Sequence, residues 1–276
     1  MIVDVLMPDA ASPYLDMAPE FLAPYRPAFA DRGIALRPRP WDMGPGDGDA
    51  TLALFAWGYH LAPGRWLEIL ADWPADRSLF NPPGVMAWNT RKTYLRDLDA
   101  AGIPIVPSLF GHADAESVAA AFAHFGCDAL VVKPQISGGS HKTVRVKRGD
   151  AVEPLDDAII QPFLPAVSHE GELSFLTIGG HFSHAVRKVA APGDFRIQPQ
   201  FGGVFSRFEP EAEQLALVER VLGQLRGKTL YARVDLLRLR DGSLALMELE
   251  AIEPDLYVAQ EPETPARLAE ALIASM

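Results

Sequence analysis

Two mostly apolar runs separated by Asp241-Gly242 constrain the fold of this 276-residue chain more than any other feature. An Asp-Gly dipeptide between two strand-like runs is typical of a tight β-hairpin turn. Residues 230–239 and 243–250 are therefore predicted to pair as antiparallel strands. Because most of their side chains are apolar, we expect the hairpin to lie at the edge of a hydrophobic core.

Charged side chains interrupt this hairpin at Arg233, Asp235, Glu248 and Glu250. Residues two apart on a strand share a face, and pairing across the turn brings Asp235 close to Glu248. Unpaired charge at the edge of a core is costly, and a hard divalent cation such as Mg²⁺ would neutralise the acids. Alternatively, Arg233 pairs with one acid and the others are solvated on an open face. The hairpin alone does not separate these two interpretations.

A second feature is a buried strand that ends in Lys133 and runs into a loop of small residues. The loop residues are Ser137, Gly138, Gly139 and Ser140. Small residues let backbone N–H groups approach phosphate oxygens closely, and a lysine adds a point charge. The G-x-x-x-x-G-K-[ST] and G-x-G-x-x-G spacings are absent, so this loop is predicted to be neither a P-loop nor a dinucleotide fingerprint.

The hydrophobic pattern along the chain predicts an α/β fold in which the part after residue 129 is of the α+β class. Strands are predicted at residues 2–7, 34–38, 52–57, 103–107, 130–133, 143–147, 158–161, 171–178 and 181–188, the last two turned by Gly179-Gly180. Helices are predicted at residues 18–32, 65–72, 90–101, 114–125 with Asp114 as N-cap, 210–226, and from Thr264 onward. Asn81-Pro82-Pro83-Gly84 predicts a domain border.

Charge and composition limit the classes of partner and compartment. The formal net charge of −11 disfavours nucleic acid, so no nucleic-acid partner is expected. The first residues lack the charged flank of a signal peptide, and their apolar run is too short to span a bilayer. The single cysteine, Cys127, fits a reducing compartment. We therefore expect a cytoplasmic protein with no membrane partner.

Together, the strand lysine, the small-residue loop and the Asp…Glu-x-Glu hairpin resemble the ATP-grasp superfamily, in which two α+β subdomains clamp ATP. The resemblance covers about residues 88–257. In D-alanine–D-alanine ligases and bacterial glutathione synthetases the first metal ligand precedes the second by 13 residues, as Asp235 precedes Glu248 here. The resemblance implies an ATP-grasp fold with three parts. They are a Rossmann-like preceding domain at 1–86, a central subdomain with the phosphate-covering loop at 87–164, and a C-terminal subdomain with the metal site at 165–276.

The resemblance also implies roles for individual residues. Mg²⁺, or Mn²⁺ as an alternative, would be held by Asp235, Glu248 and Glu250. ATP phosphates would be contacted by Lys92 and Lys133 and covered by Ser137, Gly138, Gly139 and Ser140. The adenine edge would meet Gln161 and the backbone of Phe163 and Leu164, with the ribose at Glu172. Catalytic cations at the transferring phosphoryl group and the substrate carboxylate would be Arg233, Lys188 and Arg196.

Two positions depart from the family pattern. Glu250 stands where these ligases commonly carry Asn, which makes the predicted metal site more anionic. Gln161 stands where the family often carries Glu, although an amide oxygen still accepts a hydrogen bond from the adenine amino group.

More narrowly, the motifs around Trp88, Glu170 and Glu248 resemble the group that contains the cyclo-ligase closing O-ureido-serine to cycloserine. The resemblance implies an ATP-dependent carboxylate–amine ligase that forms ADP and phosphate through an acyl phosphate. Its expected partner is a small carboxylic-acid or amino-acid substrate, and a homodimer is an assembly compatible with it. Two alternatives are a nucleotide-binding regulatory protein without turnover and a hydrolase using Glu248 and Glu250 as paired carboxylates.

Several other polar residues have side chains that can bind a metal ion or a substrate. His181 and His184 face opposite sides of a predicted strand, so a shared zinc ion is not expected. His141 and His169 flank the predicted site and are interpreted as solvated loop residues. Near the ends of the first strands, where ligands often bind, lie Tyr14, Tyr59 and His60.

Overall fold

A computed structural model describes residues 1–191, 202–225 and 227–276 of the chain. Its strands form three sheets, each packed against helices, so the predicted α/β and α+β character is confirmed. In these ranges no helix is both long and apolar enough to cross a bilayer.

The N-terminal sheet is parallel, with strand order β2-β1-β3-β4. Its strands are β1 (Ile2–Met7), β2 (Ala35–Pro40), β3 (Ala50–Leu52) and β4 (Leu79–Phe80). The neighbouring helices are α1 (Ala18–Leu22), α2 (Tyr25–Ala30) and α3 (Pro63–Ala71). Parallel strands joined by helices form the predicted βαβ arrangement.

Two predictions in this region are wrong in extent. The single helix expected at residues 18–32 is divided, because Pro24 has no N–H with which to continue the helical hydrogen bonds and instead precedes α2. The strand expected at residues 52–57 ends at Leu52. Beyond it the Ala56 N–H donates to Ala53 O (2.9 Å), so the chain turns back on itself.

The second sheet is antiparallel, with order β5-β8-β6-β7. Its strands are β5 (Leu109–Ala113), β6 (Ala129–Pro134), β7 (Val144–Lys147) and β8 (Leu155–Pro162). Helices α4 (Pro83–Thr90), α5 (Tyr94–Ala100) and α6 (Ala115–Phe125) precede or cover it. The predicted N-cap is confirmed, since the Asp114 side chain accepts from Ser117 N (2.8 Å).

The third sheet is antiparallel, with order β11-β10-β9-β12-β13. Its strands are β9 (Glu172–Ile178), β10 (His181–Val189), β11 (Val204–Arg207), β12 (Tyr231–Arg238) and β13 (Leu244–Glu250). The helices of this part are α7 (Ala166–His169), α8 (Ala212–Leu222) and α9 (Thr264–Ser275). Both predicted hairpins, turned at Gly179-Gly180 and at Asp241-Gly242, are confirmed.

The helix predicted at residues 90–101 is interrupted. Arg91 is extended (φ −108°, ψ 122°), and the Lys92 N–H donates to Gln135 O (2.8 Å) in the loop after β6. This contact with a distant segment replaces a helical hydrogen bond. The strand predicted at residues 103–107 reduces to one bridge, between Ile105 and Leu246. The division into three parts at residues 86/87 and 164/165 stays a prediction.

One hydrophobic core joins the N-terminal sheet to the third sheet and to α9. Its buried side chains include Val3, Val5, Phe29, Leu176, Ile178, Leu268 and Leu272. Helix α9 lies beside α2, and the Arg32 guanidinium forms an ion pair with Glu270 (2.6 Å) between them. Helix α9 is therefore part of the packing of the N-terminal region.

Two buried asparagines fix the end of the β12–β13 hairpin. Asn81, fully buried, donates through Nδ2 to Tyr231 O (2.8 Å) and Ala251 O (2.9 Å) and accepts from Leu230 N (2.6 Å). Asn89 donates to Leu249 O (2.8 Å) and accepts from Ala251 N (2.8 Å). Asn89 therefore holds the backbone on both sides of Glu250, and Asn81 ties the residue after it to the start of β12.

The buried His184 on β10 is expected to make the free energy of unfolding depend on pH. Its ring is 1% exposed, with Nε2 3.1 Å from Leu256 O and Nδ1 3.1 Å from Ser183 Oγ. Burial lowers the pKa of His184 from 6.5 to about 4, against the pull of nearby Glu261. Below pH 6.5 the unfolded chain gains a proton that the folded chain binds only near pH 4. Through His184 alone, stability is therefore expected to fall as the pH drops from about 6.5 to about 4.

Urea unfolding at pH 7, 6, 5 and 4.5 measures this dependence. In His184→Gln, whose amide can still donate to Leu256 O, we expect the pH dependence of stability to lose this contribution of about one proton. His60, whose pKa burial also lowers to about 4, adds a contribution of the same sign, whereas Glu250 and Glu253, whose pKa values burial raises to about 7 and about 8, oppose it. A variant with the wild-type slope would contradict the assignment to His184.

Candidate active site

A cavity of about 660 Å³ is lined by residues of the second and third sheets and of the helices and loops of the N-terminal region. Every predicted site residue in the described ranges lines it, namely Lys92, Lys133, Ser137, Gly138, Gly139, Ser140, Gln161, Phe163, Leu164, Glu172, Lys188, Arg233, Asp235, Glu248 and Glu250. Arg196 lies outside the described residues. The structure thus brings together side chains separated by more than 150 positions in the chain, as between Lys92 and Glu248.

The three acids of the hairpin form one cluster. Asp235 is paired with Glu248 across the strands, and Arg233 with Glu250. Ligand oxygens of Asp235, Glu248 and Glu250 all lie within 4.8 Å of one another. Asp235 is 1% exposed and the side chains of the other two about a quarter exposed (25% and 26%), so the open, solvated face considered above does not occur.

Each acid of this cluster has an internal cation. The Arg233 guanidinium binds Asp235 (3.0 Å) and also Glu250. Lys188 binds Asp235 (3.3 Å) and Glu172, and Lys92 binds Glu248 (3.0 Å). Arg233 therefore bridges two acids, rather than pairing with one.

The three carboxylates differ in how far these cations favour their charged forms. Burial opposes ionisation of Asp235, but Arg233 and Lys188 hold its pKa at about 2. Burial raises the pKa of Glu250 to about 7, and the neighbouring charges of Glu248 and Asp235 add to this against the pull of Arg233. Three converging carboxylates fit a hard divalent cation.

Two lysines lie beside the acids, under the small-residue loop. Lys133 is 5% exposed, and burial lowers its pKa to about 8. Lys92 Nζ, besides its ion pair, donates to Ser137 O (2.9 Å) at the start of the loop. A Cβ at Gly138 would lie 3.0 Å from His60 Nδ1, so only glycine fits this close approach. The loop therefore packs over the lysines and against His60.

The other wall of the cavity contains an unsatisfied acceptor. Gln161 is 1% exposed, and its Nε2 donates to Ser108 Oγ (2.8 Å). Among the described residues, its buried Oε1 has no hydrogen-bond partner. The Phe163 N–H donates to Ala129 O (2.9 Å). The Arg145 guanidinium lies 3.8 Å from the centroid of the Phe163 ring.

Sequence reasoning missed several residues of the cavity. Glu253 and Tyr257, in the segment after β13, line it, and Tyr257 places its ring 5.4 Å from the Arg233 guanidinium. Burial, together with the charge of Glu250, raises the pKa of Glu253 to about 8. Both residues belong to the motif around Glu248 that resembles the cyclo-ligase group, but the sequence analysis gave neither of them a role. Tyr14, Tyr59 and His60, noted near strand ends, also line the cavity.

The fold is that of ATP-grasp ligases. The cycloserine biosynthesis protein DcsG of Streptomyces lavendulae is 27% identical over 297 residues, covering 97% of this chain and 96% of that protein. The crystal structure of the D-cycloserine synthetase DcsG superposes with a TM-score of 0.82 at 24% identity, covering 100% of this chain and 99% of that one. No protein-family model matches the chain.

Two further solved structures have the same fold. The ATP-grasp ligase PsnB, complexed with minimal precursor, Mg and ADP, has a TM-score of 0.66 at 19% identity over 99% of this chain and 97% of that one. D-alanine–D-alanine ligase from Bacillus anthracis, complexed with ATP, has a TM-score of 0.69 at 15% identity over 99% and 96%. The predicted ATP-grasp fold and the predicted resemblance to these ligases are confirmed. The comparisons support the predicted class, an ATP-dependent carbon–nitrogen ligase.

Proposed function

We propose that this protein uses Mg-ATP to activate the carboxylate of a small amino-acid-like substrate as an acyl phosphate, which a nitrogen nucleophile then attacks. The observation that carries the proposal is the content of one cavity. It contains an unsatisfied Gln161 acceptor, two buried lysines under a small-residue loop, and three converging carboxylates. These match the needs of adenine, phosphates and a divalent cation.

The adenine and phosphate ends are assigned first. Gln161 Oε1 accepts a hydrogen bond from the adenine amino group, and Glu172 binds the ribose hydroxyls. Lys92 and Lys133 neutralise and orient the phosphates, and residues 137–140 cover them. Phosphoryl transfer requires mainly that the protein align the reacting groups and neutralise their charge, so fixed lysines contribute directly to the rate.

The metal would be held by Asp235, Glu248 and Glu250, and it would supply charge neutralisation at the phosphate oxygens. Mg²⁺ is the proposed ion, with Mn²⁺ as a substitute. For this to happen, Lys92 must release Glu248, to which it is bound at 3.0 Å. The freed ammonium group is then available to a phosphate.

The reaction proceeds in two displacements. A substrate carboxylate oxygen attacks the γ-phosphorus, and the bond to the bridging oxygen of ADP breaks. The nitrogen nucleophile then attacks the carbonyl carbon and loses a proton as phosphate leaves. Arg233 stabilises the oxyanion formed in this second step. Lys188, and Arg196 by the family resemblance, serve the γ-phosphate and the substrate carboxylate.

The finer proposal is a cyclo-ligase, in which the nucleophilic nitrogen belongs to the activated molecule itself. Its support is the 27% identity to DcsG, a cycloserine biosynthesis protein, over nearly the whole of both chains. The cytoplasmic location, the homodimer and the absence of nucleic-acid and membrane partners stay predictions.

Release of phosphate from ATP by the purified protein tests the proposal. We expect ADP and phosphate to form only with Mg²⁺ and one member of a panel of amino acids, O-ureido-serine and dipeptide precursors. Mass spectrometry of the product then separates a cyclic from a linear amide. ATP binding without release across the panel would favour the regulatory alternative, and absence of ATP binding would overturn the proposal.

A further inference from the structure

One part of the cavity is aromatic and acidic at once. Tyr14, Phe21, Trp57 and Glu253 line it, and we call these four residues the aromatic end. The Trp57 indole Nε1 donates to Glu253 O (3.4 Å), and the Phe21 and Trp57 rings meet edge to face with centroids 5.0 Å apart. The backbone of Glu253 thus contacts the Trp57 indole, which packs against Phe21.

The Glu253 carboxyl group forms no ion pair with any lysine, arginine or histidine of residues 1–191, 202–225 and 227–276. Of the cations in the described cavity wall, Lys92 is bound to Glu248, and Arg233 and Lys188 are bound to Asp235, while Lys133 Nζ lies 4.0 Å from Met247 Sδ. Such surroundings favour the neutral acid, and a cation supplied by a bound molecule would favour the carboxylate.

A second, independent observation points to a ligand in the same cavity, next to Tyr14 and the small-residue loop. His60 is 8% exposed and lines the cavity, with its ring centroid 5.9 Å from that of Tyr14. Neither of its ring nitrogens has a hydrogen-bond partner among the described residues. Buried polar groups are nearly always hydrogen-bonded, so partners for His60 are expected from a bound molecule.

We propose that the aromatic end binds a primary ammonium group of the substrate, with the Glu253 carboxylate as its hydrogen-bond acceptor. This inference rests on the proposed function and names the substrate class as an amino acid with a free ammonium group. Aromatic rings attract cations through their faces, and a carboxylate distinguishes a primary ammonium by its N–H donors. His60 completes the polar surroundings of the substrate.

The assignment has a chemical consequence for the choice of nucleophile. An ammonium group held by a carboxylate stays protonated, and a protonated nitrogen has no lone pair with which to attack an acyl phosphate. The nitrogen that forms the new bond must therefore be a different one. A substrate with two nitrogens would be joined through the nitrogen that does not contact Glu253.

Binding experiments with matched probes test this inference. The probes are serine and O-ureido-serine, both enantiomers of each, and their des-amino analogues 3-hydroxypropionate and 3-(ureidooxy)propionate. Titration calorimetry with ADP and Mg²⁺ present gives each dissociation constant. For the wild-type protein we expect at least one amino probe to bind roughly 30-fold or more tightly than its des-amino analogue.

In Glu253→Gln, which keeps the size of the side chain and removes its charge, we expect this ratio to fall below about 3. The exposed Glu219→Gln is the matched control and should keep the wild-type ratio. A ratio unchanged in Glu253→Gln, or no wild-type binding of any amino probe, would overturn the inference. ATP titrations of the wild-type protein, run in parallel, separate the two proposals. A wild-type protein that binds ATP but shows no preference for the amino probes would overturn only this inference.

Discussion

Glu248→Gln is expected to lower ATP-dependent product formation by roughly 10³-fold or more while leaving the fold intact. The Glu248 carboxylate converges with those of Asp235 and Glu250 and binds Lys92 (3.0 Å). An amide is neutral and a weaker ligand for a hard cation, so both charge balance and metal affinity are lost. The side chain is 25% exposed, which limits the structural cost of the change.

Two measurements check this result. Phosphate release with the activating substrate gives the rate, and Mn²⁺ titration in the presence of ADP, followed by electron paramagnetic resonance, gives metal affinity. We expect the Mn²⁺ affinity to fall by about 10-fold or more. Glu219→Gln, on the exposed face of α8, is the control. Wild-type turnover together with wild-type Mn²⁺ binding in Glu248→Gln would reject the metal assignment.

Asp235 is a less informative position for the same test. It lies between Arg233 and Lys188 at 1% exposure, so Asp235→Asn leaves two buried cations without their shared counter-ion. Breaking a buried ion pair from one side costs about 3–5 kcal/mol. Lost activity in that variant would therefore mix a local effect with unfolding.

Asn81→Ala is expected to destabilise the protein by about 3–5 kcal/mol. Asn81 is fully buried and bonds the backbone at three positions, Leu230, Tyr231 and Ala251. Alanine leaves these buried backbone groups without partners, and each unsatisfied group costs about 1–3 kcal/mol. Urea unfolding followed by tryptophan fluorescence measures the loss.

Asn89→Ala provides a graded comparison. Asn89 bonds two backbone groups, at Leu249 and Ala251, so we expect a smaller loss, about 2–3 kcal/mol. A stability of Asn81→Ala within 1 kcal/mol of the wild type would show that water or local rearrangement replaces the lost bonds. In that case the hairpin end would not depend on this side chain.

The hairpin that carries the acids could be predicted because its information is local. Apolar alternation, an Asp-Gly turn and the two-residue period of a strand together fix which side chains share a face. The observed pairing of Asp235 with Glu248 follows from these rules. The spacing of 13 residues between Asp235 and Glu248 then indicated a resemblance to a family. That resemblance implied binding roles for Lys92, Lys133 and Gln161, and the structure places all three in the same cavity.

Features that depend on distant contacts could not be predicted. The predicted helix is interrupted before Lys92, whose N–H donates a hydrogen bond to Gln135 O. The helix propensity of the residues around Thr90 does not indicate this distant partner. Asn81 was interpreted as loop punctuation, yet the hairpin 150 residues away buries it completely. Glu253 was missed because an isolated acid becomes notable only when the aromatic rings around it, and the absence of a cation among the described residues, are known.

Helix α9 has a consequence for the synthesis of this protein. Its side chains Leu268 and Leu272 share a core with Val3, Val5 and Phe29, residues made more than 200 positions earlier. On the ribosome, the parallel sheet can form early, but one side of its helix layer stays open until residues 264–275 have emerged. The exposed apolar surface would be a natural binding site for a nascent-chain chaperone. We therefore expect the N-terminal region to acquire protease resistance only after synthesis of α9.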